Sequence, residues 1–235
     1  MKDNRKISVV IPYYNRCDLV IQTIEPLLSD DRISEVILCD DRSPDEDYYQ
    51  LLKNVSGMKK VKVYRNVINM YVQANKKNAL SFAKEDWVVI VDNDNIMSKD
   101  FFDKLFSIDK WDPDTIYHPS FASPNFDYRQ FNGKTITKEN VIEFTKASIF
   151  VTLCNTNNYM TNKSSYLKSY LYSSDIRGAD GIFNSYNWLK NGNKIYIVPD
   201  LTYFHRVHDT SAFLSEADSN MKLIYYWLDK IKELK

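Results

Sequence analysis

An α/β fold with a mostly parallel central sheet flanked by helices is what the chain predicts, on three observations. Short apolar, β-branched runs alternate with stretches of helical spacing, the pattern of strand–helix–strand units. Three of the early runs lead straight into polar residues, at Tyr14-Asn15, at Asp40-Asp41 and at Asp92-Asn93-Asp94. The last of these runs, Trp87 to Val91, has no polar alternation, as expected of a strand buried on both faces. Polar clusters at strand carboxyl ends share one edge of a parallel sheet, and that edge is where open α/β sheets bind ligands.

The elements follow in order. Ile7 to Ile11 reads as a strand stopped by Pro12, and residues 17–28 as a crossover helix. Val36 to Cys39 is a second strand, followed by a helix over 45–55 that closes near Gly57. Val61 to Tyr64 is a third strand and 73–84 a helix. After the acids, Ser98 is placed to cap a helix over 99–108, and Ile116 to Ala122 reads as a strand. A polar, aromatic loop spans 123–135, and a short helix spans 140–147. Residues 153–162 read as a loop entering a strand, with a helix near 163–172 and a loop over 173–178. Asp180 opens a helix ended by Asn191-Gly192. Ile195 to Val198 is a strand ended by Pro199, and 201–207 is extended. The last helix, from about Glu216 to Leu234, lines up Ile224, Trp227, Leu228, Ile231 and Leu234 on one face.

Composition removes several functions. The formal net charge is zero, so no bulk field favours nucleic acid. Five glycines leave no glycine-rich phosphate loop. Cys17, Cys39 and Cys154 are odd in number and lack metal spacing, which favours a reducing compartment. No 18-residue apolar run and no apolar leader occur, so a cytoplasmic location without a transmembrane segment is expected. Asp92 and Asp94, one residue apart, supply hard oxygen ligands able to hold a cation beside a phosphate or ribose.

Ile7 to Asn15, Val36 to Ser43 with its Cys-Asp-Asp-Arg-Ser, and Val88 to Asn95 with its Asp-Asn-Asp resemble, in order, the three leading motifs of family 2 glycosyltransferases. The resemblance continues through Asn155–Tyr159, at the position of that family's acceptor-facing segment, and Ala179-Asp180, at the position of its catalytic acid. His205-Arg206-Val207-His208 is similar to the terminal histidine motif of a bacterial and viral subset. It covers about residues 5–212. It implies the GT-A fold, a Rossmann-like sheet in a single domain over 1–235. Residues 1–95 would bind the nucleotide, 96–212 the acceptor, and 213–235 would form an amphipathic terminal helix.

Carried onto this sequence, the family implies an inverting, metal-dependent transfer of sugar from a nucleotide-sugar donor, UDP-sugar favoured, to a saccharide or lipid-linked saccharide. Pro12, Tyr14, Asn15, Asp40, Lys77, Asp92 and Asn93 would bind the nucleotide. Tyr14 would stack on the base and Asp40 accept its N–H. Lys76 and Lys77 are alternatives for the diphosphate. Asp94, with His205 as a further ligand, would hold Mn2+ or Mg2+. Asp180 would be the general base, with Asp175 its rival. Asn157, Asn158, Arg206 and His208 would contact acceptor or donor sugar, with Arg206 and His208 also alternatives for the phosphates. The sequence departs from the family pattern in having Ala79 and Asn157 where glycine is common, and Ala179 where a glutamate usually precedes the base. Asp40 and Asp180 also have purely local readings, as a turn cap and as a helix N-terminal acid. Two other functions stay open: a non-catalytic nucleotide- or saccharide-binding module, and a sugar nucleotidyltransferase. The terminal helix suits packing on the domain, a second subunit, or the inner face of a membrane.

Overall fold

The computed structural model describes residues 4–173, 176–207 and 217–235. Its strands are β1 Ile7–Tyr13, β2 Ile33–Asp40, β3 Val61–Arg65, β4 Trp87–Ile90, β5 Thr115–Ser123, β6 Phe126–Asp127, β7 Thr135–Ile136, β8 Met160–Asn162 and β9 Lys194–Phe204. They form one sheet in the order β3-β2-β1-β4-β8-β5-β9-β7, with β6 on β5. β1, β2, β3, β4, β5 and β9 all run one way, and only the short β6, β7 and β8 run against them. The fold class is therefore the expected one.

The helices are α1 Cys17–Ile24, α2 Asp45–Asn54, α3 Tyr71–Ser81, α4 Lys99–Phe106, α5 Val141–Phe144, α6 Ile149–Asn155, α7 Lys163–Ser169, α8 Asp180–Lys190 and α9 Ala217–Lys232. A continuous apolar core runs from Val9 and Ile37 through Val89 and Phe102 to Ile197 and Leu228. Trp188, Tyr128 and Tyr203 are among its largest buried side chains. The terminal helix spends its apolar face inside the domain. Ile224, Leu228 and Ile231 are buried, and Trp227 packs on Phe183 and Tyr186 with ring centroids 4.6 and 5.2 Å apart.

Several boundaries differ from the sequence reading. Neither proline ends its strand. β1 passes through Pro12 because Val91 N–H donates to Val10 O, so residues of even parity face β4. The N–H that Pro12 lacks would face the same way, where β4 has already ended at Ile90. β9 passes through Pro199 with a shift of register against β5, and Asp200 there takes φ +58. The first crossover helix stops at Ile24, and Pro26 falls in a 3-10 turn over Glu25–Leu27. Residues 153–155 belong to helix α6 rather than to a loop. Ser98 stands at the N-cap of α4 but makes no capping bond from its side chain. Gly57 and Gly192 close α2 and α8 with φ +83 and +82, as expected of glycine past a helix end.

Candidate active site

The carboxyl ends of β1, β2 and β4 meet at one edge. The β1 end continues into Tyr14, which is 46% exposed, and Asn15, at φ +49. Asn tolerates that left-handed turn better than most residues. The turn is tied to the β2 end by Asn15 N–H donating to Ser43 Oγ at 2.8 Å. Pro12 is half-buried beside it.

The β2 end is a closed polar net. Asp40 has no exposed surface. Its Oδ1 accepts from Ser43 N at 3.0 Å and from Ser43 Oγ at 2.5 Å, while Oδ2 faces Arg65 Nε at 3.0 Å. Burial pushes the Asp40 carboxyl up against the opposing pull of the Ser43 bonds and Arg65. Its geometry is that of the turn cap, and base recognition through Asp40 would require this net to open. Asp41 Oδ1 accepts from Asn66 Nδ2 and from Met70 N–H, both at 2.8 Å. Asn75 of α3 donates to Cys39 O at 2.8 Å and accepts from Asn66 Nδ2 at 3.0 Å.

The β4 end holds the acids. Asp92 N–H donates to Asn158 Oδ1 at 2.8 Å, and Asn158 Nδ2 donates to Asp92 Oδ2 at 2.7 Å. One amide thus fixes both the backbone and the carboxylate of Asp92. Asn157 Nδ2 donates to Asp180 Oδ2 at 3.3 Å. Both asparagines are buried, and in this structure their amides are engaged with the two acids. Among the described residues Asn157 has no positive φ, and the left-handed turn its usual glycine implies is not used.

Between the two acids lies Lys76, only 3% exposed, with Nζ 2.7 Å from Asp180 Oδ2 and 4.0 Å from Asp92 Oδ1. Burial alone would lower its pKa. The negative charges of Asp180, Asp92 and Asp94 outweigh that, and the amine is held charged, above its usual range. Asp92, at the foot of the cleft, is pushed up by burial and by the charge of Asp94, with Lys76 and Asn158 opposing. Lys77 is exposed, so the cleft lysine is Lys76. The packing of α3 decides it, burying Gln73, Ala74, Asn75 and Lys76 together and leaving Lys77 outside.

Asp180 is the first residue of α8, where the helix dipole favours a carboxylate. That helix start sits hard against α6. A Cβ on Gly181 would lie 2.2 Å from Asn155 O, so only glycine fits. Asn155 Oδ1 accepts from Ile182 N–H at 3.2 Å and Nδ2 donates to Gly178 O at 3.1 Å, which sets the helix entry.

Asp94 is held differently. Arg16 Nη1 donates to Asp94 Oδ2 at 2.8 Å and to Asn93 Oδ1 at 3.3 Å. Arg206 Nε donates to Asp94 O, and its backbone N–H to Asn95 Oδ1 at 3.2 Å. The rest of that guanidinium reaches Gln22 Oε1, Leu19 O and Thr23 Oγ1 on α1, at 2.7, 3.1 and 3.2 Å. In this structure Arg206 braces the acid loop against α1. Asn93 is buried, and its carbonyl accepts from Thr23 Oγ1 at 3.2 Å. It too supports the loop from within. His205 is half-buried. Asn125 Nδ2 lies 2.8 Å from its Nδ1, and Phe126 packs with its ring centroid 5.0 Å away. His208 and Asp175 lie outside the described residues.

The edge thus brings together Asp92, Asp94, Asp180, Lys76 and Arg16. Sequence reasoning passed over Arg16, Asn75 and Gly181. Signals existed: a run of polar residues on the inward face of α3, and one of only five glycines beside the acid at a helix start.

The Glycosyl transferase family 2 sequence model matches residues 8–174. No curated protein matches. Among solved structures, S. aureus TarS 1-349 is similar, with a TM-score of 0.70 at 18% identity over 98% of this chain. The same fragment in complex with UDP gives 0.67 at 19% identity over 94% of this chain. In complex with UDP-GlcNAc it gives 0.72 at 17% identity over 98% of this chain. This chain spans 66%, 65% and 67% of those three fragments, about two thirds, and 39% of the longer S. aureus TarS chain. At these identities the likeness is one of fold, and the fold is GT-A.

Proposed function

The chain belongs to glycosyl transferase family 2, and on that premise we propose that it transfers a sugar from a nucleoside-diphosphate donor to a hydroxyl of a glycan or glycolipid, inverting the anomeric centre. One observation carries the reading: Asp180, from the second half of the chain, is linked through Lys76 to the Asp92 loop of the first. Separate strand-end turns would have no reason to converge on a buried amine.

Chemistry follows from the residues. Asp180 takes the proton of the acceptor hydroxyl as its oxygen attacks the anomeric carbon. The carbon–oxygen bond to the diphosphate breaks, and its electron pair leaves with the diphosphate. Attack opposite the leaving group inverts the centre. Tyr14, exposed at the β1 end, offers its ring to the base. The donors of the acid loop are carboxylate oxygens, which suit a hard cation. Among the described residues no three His, Cys, Asp or Glu side chains are grouped to hold a metal alone. That fits Mg2+ or Mn2+ bound by one or two carboxylates plus substrate phosphates. Asp94, with Asp92 beside it, would hold the cation, which would offset charge gathering on the departing diphosphate. UDP-GlcNAc is the donor to try first, because the similar S. aureus TarS fragment has been captured with it.

Thermal unfolding with UDP, GDP, CDP and dTDP, each with and without Mn2+, tests the donor site. A ligand at about 100 times its dissociation constant adds roughly 2.7 kcal/mol, or about 5–10 °C at this size. A rise with UDP that needs the metal and vanishes in Asp94→Asn supports the reading. No rise with any nucleotide, and no sugar released from UDP-GlcNAc, would overturn it. Among the described residues no helix is long and apolar enough to cross a membrane, so a lipid-linked acceptor would be met at a surface.

A further inference from the structure

Lys76 does more than fill the space between the acids. It is a buried cation at the bottom of the cleft, and its Nζ donates to Asp180 Oδ2, the group the proposed chemistry uses, at 2.7 Å. Asp180 Oδ2 accepts from both Lys76 and Asn157. While both contacts hold, that oxygen is occupied by two donors and is not presented to an acceptor hydroxyl. Yet the same ammonium lies 4.0 Å from Asp92, at the edge where a diphosphate would dock. A lysine has three donors on a flexible four-carbon stem, and it can exchange one anion for another by small rotations.

We propose that Lys76 is a positioning residue that latches Asp180 in the empty cleft and turns to the donor diphosphate when the donor binds, so that the base is released only in a loaded site. The inference rests on the proposed donor site and goes beyond it. It makes donor binding and base release one event, with the donor entering first. It also gives a reason for burying a lysine here: a solvated one would find other counter-ions and could not report on donor occupancy.

The latch has a signature that a structural ion pair lacks. If the diphosphate competes with Asp180 for Lys76, removing the Asp180 charge must tighten nucleotide binding. The test is a double-mutant cycle on UDP affinity, measured by titration calorimetry with Mn2+ on the wild type, Asp180→Asn, Lys76→Gln and the double variant. Asp180→Asn is expected to bind UDP about three- to tenfold tighter, Lys76→Gln about tenfold weaker, and the double variant like Lys76→Gln alone. An unchanged or weaker affinity in Asp180→Asn would overturn the latch. So would an equal gain from Asp180→Asn when Lys76 is absent, which would reveal a general charge effect.

A second measurement needs no variant. In a crystal structure of the wild type with UDP, Lys76 Nζ is expected on the diphosphate and beyond hydrogen-bond reach of Asp180. An unbroken pair at its present 2.7 Å would overturn the proposal while leaving the donor site standing. Wild-type protein that binds no UDP at all would remove the donor site itself, and the latch with it.

Discussion

The floor and the rim of the cleft hold their acids by different means. On the floor, Asp180 is fixed by buried Lys76 and Asn157, while Asp92, whose side chain is 38% exposed, is held by buried Asn158 with Lys76 4.0 Å away. On the rim, Asp94 is paired with Arg16, whose side chain is part-exposed, and its backbone is braced by Arg206. A charge in a buried pair cannot be removed without stranding its partner, whereas a part-exposed pair can be exchanged for another ion at small cost. The Lys76–Asp180 pair is therefore the harder to part, and the Arg16–Asp94 pair the easier. Under the proposed function, the first carboxylate handles a proton and the second receives a cation.

The comparison can be broken by stability measurements, taken from the largest effect to the smallest. Asp180→Asn leaves the Lys76 charge without its close counter-ion and is expected to cost about 3–5 kcal/mol in urea unfolding, with transfer down roughly 10²–10⁴-fold. A loss below about 1 kcal/mol would show that the floor is no more committed than the rim.

Next comes acid sensitivity. His118 of β5 is fully buried beneath the floor, near the rings of Tyr128 and Tyr159, and burial pulls its pKa down from 6.5 to about 4. The unfolded chain then takes up the proton first, so stability is complete above pH 6.5 and is lost as pH falls towards 4. The group accounts for roughly 3 kcal/mol across that window. His118→Gln should flatten this part of the stability–pH curve. An unchanged slope would place the acid sensitivity elsewhere.

Asn158→Ala removes both bonds to Asp92 and should cost about 2 kcal/mol, with a drop in transfer that Asn158→Asp does not repair. Full activity in Asn158→Ala would mean that Asp92 needs no positioning. Smallest for the fold is Asp94→Asn, at about 1 kcal/mol, since the bond to Arg16 is weakened but an amide oxygen can still accept it, with transfer abolished. If that variant unfolds like Asp180→Asn, the rim is structural and the contrast disappears.

The two regions also differ in how far they could be read from the sequence. The rim and the strand ends were legible because their signal is local. An apolar run followed by acids places Asp92 and Asp94 at a sheet edge whatever the rest of the chain does. The floor was not, because it is made by contacts across the chain. Lys76 and Lys77 are indistinguishable in sequence, and only the packing of α3 decides which enters the cleft. Asn157 and Asn158 looked like exposed amides and turned inward, since their partners lie 23 and 66 residues away. Arg206 looked like a ligand contact, and its bonds to α1 became visible only with the fold. Pro12 and Pro199 misled for a related reason. A proline breaks a strand only if its missing N–H was needed, and that depends on a neighbour the sequence does not name.

The Arg206 brace has a consequence for the nascent protein. Asp94 and its arginine are 112 residues apart, and Leu19, which the same guanidinium grips, is 187 residues away. At usual synthesis rates Arg206 is made roughly 6–22 s after Asp94. During that interval a growing chain can fold the strands that end in the acids and tie Asn93 to Thr23 of α1, but it lacks the brace that Arg206 adds. Completion of this edge is thus timed by translation: a residue just past the last strand of the sheet carries the stitch between the acid loop and the first helix.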